Sequence, residues 1–262
     1  MSVFKRRGFS FLVFFIFLIG AAFAEEAFLP GKEELSRTKG DGTAPFTVVI
    51  DPGHGGEDQG AVGTLGLTEK EITLRLSEML KEFLSERLGA AVILTRTGDE
   101  FRSADERAAV ANTNKADVFI SIHADAGFDT KKNGIRVFHF DPEYYRKSNP
   151  AFLSDKEQKA LFWDRVQYKF LNKSKNLAGS IYQSLDEQAI SEKRWISKAA
   201  LSILKTVKMP AVMVSIGYLS NTEEEIRLKD VVYLTKIAEG ISIGLEQYKR
   251  GKEDKNNATP KS

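Results

Sequence analysis

The chain has 262 residues and a mass of 29.2 kDa, and 42% of its residues are hydrophobic and 28% charged. A chain of this length and composition can bury a core, which excludes disorder throughout and predicts a single domain of α/β size. The formal net charge of +2 is too balanced for a nucleic-acid backbone to be the default partner. The absence of cysteine excludes disulfide scaffolds, thiolate metal sites and a lipoprotein anchor.

The first 24 residues are typical of a secretory signal peptide. Basic residues at 5–7 precede an apolar run over 9–23 that ends in Ala-Phe-Ala, so we expect cleavage before Glu25. Because about 20 apolar residues are needed to span a bilayer, an uncleaved membrane anchor is the less favoured alternative. Removal of the three basic residues takes the net charge from +2 to −1. We therefore expect an exported protein without a stable membrane span, in the periplasm rather than outside the cell.

From residue 45 onward, short β-branched or apolar runs alternate with amphipathic segments. The runs predict strands at 46–50, 91–95, 118–122, 135–140 and 211–214. The amphipathic segments predict helices at 69–88, from 103 onward, at 175–185 and at 231–248. This alternation favours an α/β fold, with a single, mostly parallel open sheet flanked by helices.

The predicted helices carry capping signals. Thr68 and Ser103 are predicted N-caps, the latter with Glu106 three residues on, and Gly89 is a predicted C-cap. Polar segments flank the domain, which we expect to cover residues 45–250, and they predict a flexible leader at 25–44 and a disordered tail at 251–262.

Two of the three histidines follow predicted strands. His54 lies in VVIDPGHGG, just after the first strand, and His123 follows the run at 118–122. Open α/β sheets bind ligands at the carboxyl ends of their strands, and Glu69 opens the helix after the His54 loop. Two imidazoles and one carboxylate, with a fourth position open, are a recurrent catalytic zinc set. Their spacing matches no short metal motif, so structural roles stay open at this point, and His139, within a strand pattern, is predicted to be structural.

Further stretches of the sequence carry a resemblance to a known family. Between about residues 46 and 248 they occur in the order VVIDPGHGGEDQGAVG, GLTEKEITL, LTRTGDEF with DERAAVAN, FISIHAD, GIRVF, SKNLAGSI and MPAVMVSIGYLSN. In these motifs and their order the chain resembles the zinc-dependent N-acetylmuramoyl-L-alanine amidases of type 3, which cut bacterial peptidoglycan. Seven stretches in the family's order are far more specific than any one of them.

The resemblance implies one Zn²⁺ ion held by His54, Glu69 and His123. It also implies metal-assisted hydrolysis of the amide between the lactyl group of N-acetylmuramic acid and L-Ala, with peptidoglycan as the partner. Zinc would polarise the lactyl carbonyl and lower the pKa of its bound water toward about 7, and a nearby carboxylate would relay a proton to the leaving amine. Other positions that match the family are expected to be structural, namely Arg96, Asp99, Arg107 and Asn221, the last as an N-cap with Glu224 at N3.

The sequence departs from the family at the position that handles the proton. The family has a Glu in a segment shaped like PAVLVE-x-G-F-x-S-N, and this chain has Ser215 there. A hydroxyl is a poor base near neutral pH, and losing a positioned acid or base typically costs about 10² to 10⁴ in rate. Three interpretations stay open: slow hydrolysis by metal-activated water alone, a catalytically inactive relative that binds peptidoglycan or a partner, or a substitute carboxylate from Glu57, Asp58 or Asp125. We favour an active amidase, because all three interpretations share the fold, the metal site and the substrate groove of an amidase.

Residues 141–172 stand apart as an aromatic-rich insertion between a strand and the next helix. Some members of the family carry here a helix that covers the zinc until an activator displaces it. We therefore expect segment 155–171 to be a regulatory helix, with Glu157 or Asp164 able to reach the metal and with an activator protein as a partner. The alternative is that its apolar residues simply pack the helix against the body of the domain.

Overall fold

The computed structural model describes residues 44–141, 164–188 and 190–257. The predicted signal peptide and most of the predicted leader lie outside these ranges. The elements in chain order are β1 (Thr47–Pro52), α1 (Glu69–Leu88), β2 (Ala91–Leu94), α2 (Ala104–Thr113), β3 (Val118–Asp125), β4 (Ile135–Phe140), a 3₁₀ helix (Asp164–Phe170), α3 (Leu171–Glu187), β5 (Arg194–Ala199), α4 (Ser202–Lys205), β6 (Ala211–Tyr218), α5 (Thr222–Lys229) and α6 (Val231–Asn257). No helix in the described ranges is long and apolar enough to cross a membrane.

The six strands form one sheet in the order β2-β1-β3-β6-β4-β5. β1, β2, β3 and β6 run parallel to one another, whereas β4 pairs antiparallel with β6 and parallel with β5. The predicted α/β fold with a mostly parallel open sheet is confirmed. The carboxyl ends of β1, β3 and β6 therefore meet at one edge of the sheet, and the start of antiparallel β4 lies at that same edge.

Helices cover both faces of the sheet, because successive strand side chains point in opposite directions. Val48 and Ile50 face a core layer that includes residues of α1, α3 and α6, while Val49 faces a layer that includes residues of α2 and α4. Leu76 and Leu80, one turn apart on α1, are fully buried in the larger layer. Burial on both faces explains why the central strands are continuous apolar runs rather than alternating ones.

The capping signals lie at the helix ends where they were predicted. The Glu71 carboxylate accepts hydrogen bonds from the Thr68 amide at 3.2 Å and from its hydroxyl at 2.6 Å, and Gly89 ends α1 with φ at 56°. α2 begins after Ser103, whose amide donates to the Glu106 carboxylate at 2.7 Å. The Thr68 cap fixes the start of α1, the helix that follows the loop containing His54.

Several elements differ from the prediction. β3 and β6 extend past their predicted ends, to Asp125 and Tyr218, because the ladder between them continues through the pairs His123–Ser215 and Asp125–Tyr218. β5 was not predicted. It is an edge strand on which Trp195 and Ile196 are exposed, so it lacks the buried pattern that marks a strand in the sequence.

The chain continues as α6 into the segment predicted to be a disordered tail, 251–262, so that prediction is wrong as far as Asn257. The physical reason is that a charged side chain of this segment contacts the body of the domain. The Lys252 ammonium lies 6.0 Å from the ring centre of Phe46 and 3.4 Å from the Asp117 carboxylate. These contacts hold the start of this segment to the domain, although the segment itself has no large apolar side chain.

Only part of the predicted insertion lies within the described residues. Residues 164–170 form a 3₁₀ helix instead of the predicted α-helix, and α3 follows directly. Gln167 is buried and donates to the Met209 carbonyl at 2.9 Å, which holds this short segment against the body of the domain. Glu157 and the side chain of Asp164 lie outside the described part of the chain, so their approach to a metal stays a prediction.

Candidate metal centre

The turn that follows β1 places His54 at the carboxyl edge of the sheet. The φ angle of His54 is 59°, in the left-handed region that non-glycine residues rarely adopt. Two hydrogen bonds support this conformation: Gly55 N donates to Asp58 O at 2.8 Å, and Arg107 Nη2 donates to the His54 carbonyl at 2.7 Å. A strained residue held in place by its surroundings is a recurrent feature of functional sites.

Glu69, the first residue of α1, is buried between the two histidines. Its carboxylate accepts hydrogen bonds from the Ala61 amide at 2.9 Å and the Ala124 amide at 3.0 Å. The same carboxylate lies 3.1 Å from His54 Nε2 and 2.9 Å from His123 Nδ1. Burial raises the pKa of Glu69, but hydrogen bonds from His123 and His54 outweigh it, and the net pKa is well below the usual range.

The two imidazoles are held edge to face, with ring centres 5.1 Å apart and planes at 80°. Asp58 Oδ2 lies 2.8 Å from His54 Nδ1, which turns Nε2 of that ring toward Glu69. Gly53 leaves room for the His123 ring, because a Cβ atom at this position would lie 2.5 Å from its Cε1 atom. Both rings are thus fixed by neighbours rather than free to rotate.

These three side chains fit a metal ion. One ligand atom each from His54, Glu69 and His123 lies within 4.8 Å of the other two. Two imidazole nitrogens and one carboxylate oxygen form the protein part of a three-ligand zinc site that leaves the fourth position open. The cluster stands where the sequence places it, at the carboxyl ends of β1 and β3.

Two buried arginines stabilise the backbone behind this cluster. Arg96 donates to the Pro52 and Gly53 carbonyls at 3.1 and 2.8 Å. Arg107 pairs with buried Asp51 at 2.9 Å. Their contacts agree with the structural roles expected from the sequence, since both satisfy carbonyls of the turn rather than face the cluster.

The surface side of the turn is tied down by Asp99. Its carboxylate accepts hydrogen bonds from the Gly56 amide at 2.8 Å and from Lys70 Nζ at 2.7 Å. These bonds lower the pKa of Asp99, the one from Lys70 most strongly. A structural role for Asp99 agrees with these contacts.

The sequence profile of the N-acetylmuramoyl-L-alanine amidase family matches residues 48–247, most of the chain. The chain belongs to this family. The family expected from the sequence motifs is confirmed, and with it the classification among enzymes that hydrolyse amides.

Individual relatives agree with the amidase assignment. The chain is 30% identical to AmiA of Salmonella typhimurium over 242 residues, which is 83% of each protein. It is 28% identical to AmiC of Escherichia coli over 220 residues and spans about half of that protein's length, 53%. Among solved structures, an amidase from Clostridium difficile 630 matches with a TM-score of 0.65 at 27% identity, covering 80% of this chain and 100% of that one.

A second solved structure contains a partner. It is the CwlD amidase of Clostridioides difficile in complex with the GerS lipoprotein, which is 25% identical, with a TM-score of 0.63 and coverage of 78% of this chain and 98% of that one. Both structural matches confirm that the fold is that of an amidase catalytic domain.

Ser215, which the sequence motifs predict to occupy the position of the family's proton-handling glutamate, lies inside the sheet of this amidase domain. On β6 it is in register with His123 of β3 and with Arg136 of β4. It is fully buried, and its hydroxyl has no hydrogen-bond partner among the described residues. No side chain among the described residues is hydrogen-bonded to this hydroxyl as a base would be.

The three candidate substitute carboxylates have different surroundings. Glu57 is exposed on the turn. Asp58 is engaged by His54 and by the Gly60 amide at 3.0 Å. Asp125 is half-buried and accepts two hydrogen bonds from Arg136, from Nε at 3.0 Å and from Nη2 at 2.6 Å. Asp58 is therefore positioned to orient the imidazole of His54. Asp125 is the carboxylate that is hydrogen-bonded to β4, the strand that pairs with Ser215.

The remaining histidine lies away from the cluster. His139 is buried near the end of antiparallel β4 and is in register with Val212, close to the start of β6. Its Nδ1 atom lies 3.2 Å from the Phe140 carbonyl. That end of the sheet is opposite the metal centre, which agrees with the structural role predicted for His139.

Two residues that build the site region of this amidase, Arg136 and Glu225, were not predicted from the sequence. Arg136 is a lone cation inside the apolar strand IRVFHF, and a charge in such a run was the signal that could have found it. Glu225 was missed because it follows the predicted cap of α5. Asn221 is that cap, as expected, and its side chain accepts from the Glu223 and Glu224 amides at 2.9 and 3.3 Å.

Proposed function

We propose that this chain is a zinc-dependent peptidoglycan amidase that hydrolyses the bond between the lactyl group of N-acetylmuramic acid and L-Ala. The observation that carries the proposal is the cluster of His54, Glu69 and His123 at the carboxyl edge of an amidase-family sheet. Held by these residues, zinc would supply a Lewis acid that polarises the scissile carbonyl and lowers the pKa of a water molecule toward neutrality.

Hydrolysis also requires a group that moves a proton. The amide C–N bond breaks, the oxygen of water bonds to the carbonyl carbon of the lactyl group, and one proton of that water ends on the α-amine of L-Ala. A positioned carboxylate accepts this proton and then donates it to the amine. Without such a group the amine is a poor leaving group.

Asp125 is the carboxylate best placed for this role. It comes from β3 and pairs with Arg136 of β4, and β6 lies between these two strands. Because Arg136 is in register with Ser215, its side chain lies on the same face of the sheet as the Ser215 side chain. The Asp125–Arg136 pair therefore crosses β6 on the face from which the family's glutamate would project.

The second candidate function is that of a catalytically inactive relative that binds peptidoglycan or a partner. The observation that favours it is the buried, unpartnered hydroxyl of Ser215 among the described residues. The Asp125 carboxylate is also already engaged by two hydrogen bonds from Arg136. The two functions share the fold and metal site and differ only in whether the amide is cut.

Incubation of the zinc-loaded protein with purified peptidoglycan, followed by mass spectrometry of released stem peptides that begin with L-Ala, separates the two functions. We expect release by the natural protein, an unchanged rate for Ser215→Ala, and a rate lower by about 10² to 10⁴ for Asp125→Asn with zinc content retained. Release by Ser215→Glu alone would establish the inactive relative. Release at the natural rate by Asp125→Asn would reject Asp125 as the proton-handling group.

The metal ligands need their own test, because two imidazoles and a carboxylate also accept other divalent ions. We expect the purified protein to contain one zinc ion per chain by elemental analysis. His54→Ala, Glu69→Ala and His123→Ala should each lose it, whereas His139→Ala, which removes a histidine outside the cluster, should keep it. Undiminished zinc in the three ligand variants would refute the site.

Export to the periplasm and control by an activator complete the proposal. Support for export comes from the signal-like first 24 residues. Support for an activator comes from the CwlD amidase, which was solved with a lipoprotein partner. We propose that residues 141–172 take part in this control. A protein that lacks residues 142–163 should release stem peptides faster, and unchanged peptidoglycan binding and turnover would contradict the regulatory role.

A further inference from the structure

Arg136 is held in one orientation at the same edge of the sheet as the metal centre. Its guanidinium donates to the Asp125 carboxylate from Nε and Nη2, and Nη2 also donates to the Tyr218 hydroxyl. The guanidinium carbon lies 5.2 Å from the ring centre of Phe138 and 5.3 Å from that of Tyr218. An arginine fixed by an ion pair and two aromatic rings has lost most of its rotamer freedom before any ligand arrives.

The hydrogen bonds of Arg136 leave part of its guanidinium unused. Arginine has five N–H donors, of which one is on Nε and two are on Nη2. Those three are directed at Asp125 and Tyr218. The two donors on Nη1 have no partner in the part of the chain that the structure describes, and the side chain is 30% exposed. These donors are available to a ligand that bears a planar anion.

The sheet register fixes how far Arg136 lies from the metal ligands. Ser215 of β6 is in register with His123 on one side and with Arg136 on the other. Adjacent strands are about 4.8 Å apart, so the backbones of His123 and Arg136 are separated by about 10 Å. The Arg136 side chain therefore starts two strands from the metal centre and on the face of the sheet that Ser215 shares.

A carboxylate on the substrate falls within this reach. In the proposed reaction the scissile carbonyl is followed by L-Ala and then by a second residue. Successive Cα atoms are 3.8 Å apart, which puts the α-carboxyl group of that second residue about 7 Å from the reacting carbonyl carbon. In stem peptides this group is either a free carboxylate, as in D-isoglutamate, or an amide, as in D-isoglutamine.

We propose that Arg136 is a specificity-determining residue that binds the free α-carboxylate of the second stem-peptide residue through Nη1, so that the protein discriminates against the amidated form. This inference rests on the proposed function for the identity of the substrate. The guanidinium then contacts Asp125 through Nε and Nη2 and the substrate carboxylate through Nη1. The amide lacks the negative charge, so it loses the charge-assisted hydrogen bond from Nη1.

The test uses two probes, N-acetylmuramoyl-L-alanyl-D-isoglutamate and the corresponding D-isoglutamine compound. Calorimetry gives the dissociation constant of each probe for the zinc-loaded natural protein, and mass spectrometry gives kcat/KM for each. A charge-assisted hydrogen-bonded pair supports a preference of about 10- to 100-fold for the acid. Since this comparison changes only the ligand, it does not depend on the folding of any variant.

The variants assign the preference to one residue. Arg136→Gln should bring the ratio between the two probes to about 1, whatever it does to the absolute rate through Asp125. Arg136→Lys should keep a reduced preference, because it retains the charge but not the planar fork. Arg194→Gln is the matched control: Arg194 pairs with Asp186 beside edge strand β5, so its loss should leave the ratio unchanged.

The outcomes separate this inference from the proposed function. A binding preference for the acid without peptide release supports the role of Arg136 and rejects the amidase activity. Release of peptide from both probes with equal kcat/KM supports the activity and overturns the role of Arg136. No measurable binding of the acidic probe at millimolar concentration, or a preference that survives Arg136→Gln, also overturns it.

Discussion

Glu225 on α5 anchors the loop that leads into the metal centre. It is fully buried, and its Oε2 atom accepts from the Leu65 amide at 2.8 Å and from the Thr64 hydroxyl at 3.2 Å. Its Oε1 atom accepts from the Leu67 amide at 2.9 Å. Two residues later the chain reaches Glu69, a proposed metal ligand. Replacement of Glu225 by Gln should therefore loosen the approach to the site as well as destabilise the fold.

The magnitude follows from the number of acceptors. The amide of Gln has one oxygen, so a variant Glu225→Gln cannot serve both backbone N–H groups from the positions that the carboxylate uses. At least one buried N–H loses a charged acceptor and instead faces an NH₂ group. A hydrogen bond to a charged group is worth about 1.5 to 3 kcal/mol, so we expect a loss of about 2 to 3 kcal/mol at pH 7. For a domain of this size each kcal/mol lowers Tm by about 2 to 4 °C.

The pH dependence has a definite sign. Burial raises the pKa of Glu225, but hydrogen bonds from the Leu65 and Leu67 amides outweigh it, and the pKa lies below its ordinary value of 4.5. The ionised carboxylate therefore stabilises the fold above about pH 4.5, and this contribution is lost as pH falls through the lower folded-state pKa. Gln does not titrate. The difference in unfolding free energy between the natural protein and the variant should therefore be largest near pH 7 and should shrink as Glu225 becomes protonated in acid.

Urea unfolding at pH 7 and at pH 3 measures both quantities. EDTA is present in all samples, so that loss of bound metal in acid does not contribute to the difference. The matched control is Glu223→Gln, which removes a charge from the same helix turn at an exposed position and should cost less than about 1 kcal/mol. Equal stability of the Glu225→Gln variant and the control at pH 7, or a difference that does not narrow in acid, would refute the reasoning.

Two further predictions concern the histidine rings. Gly53→Ala puts a methyl group against the ring of His123, so zinc affinity measured by chelator competition should fall by at least about tenfold, whereas Gly98→Ala, where no atom lies within 4 Å of the added methyl, should keep it. Asp58→Asn weakens the contact that orients His54, and we expect zinc affinity to fall by about 10- to 100-fold with little change in Tm of the metal-free protein, because Asp58 is exposed.

The sequence identified the proposed metal ligands because each carries a local signal. His54 and His123 come at the ends of apolar runs, and Glu69 opens a capped helix, so parallel strands suffice to bring the three together. Chain order does not reveal the left-handed backbone of His54 or the role of Gly53, because both depend on packing with β3 and on Arg107. Long-range contacts of this kind have no signature in a single sequence.

Arg136 was not predicted because of the direction of β4. A search for site residues at the ends of strands finds the carboxyl edge only for strands that run parallel. β4 runs the other way, so its second residue, Arg136, lies at that edge, and His139 near its end lies at the opposite edge. The sheet order then places β6 and Ser215 between Arg136 and His123. Asp125 of β3 and Arg136 of β4 therefore lie on the two strands that flank Ser215, which is why the Asp125–Arg136 pair is the group to test.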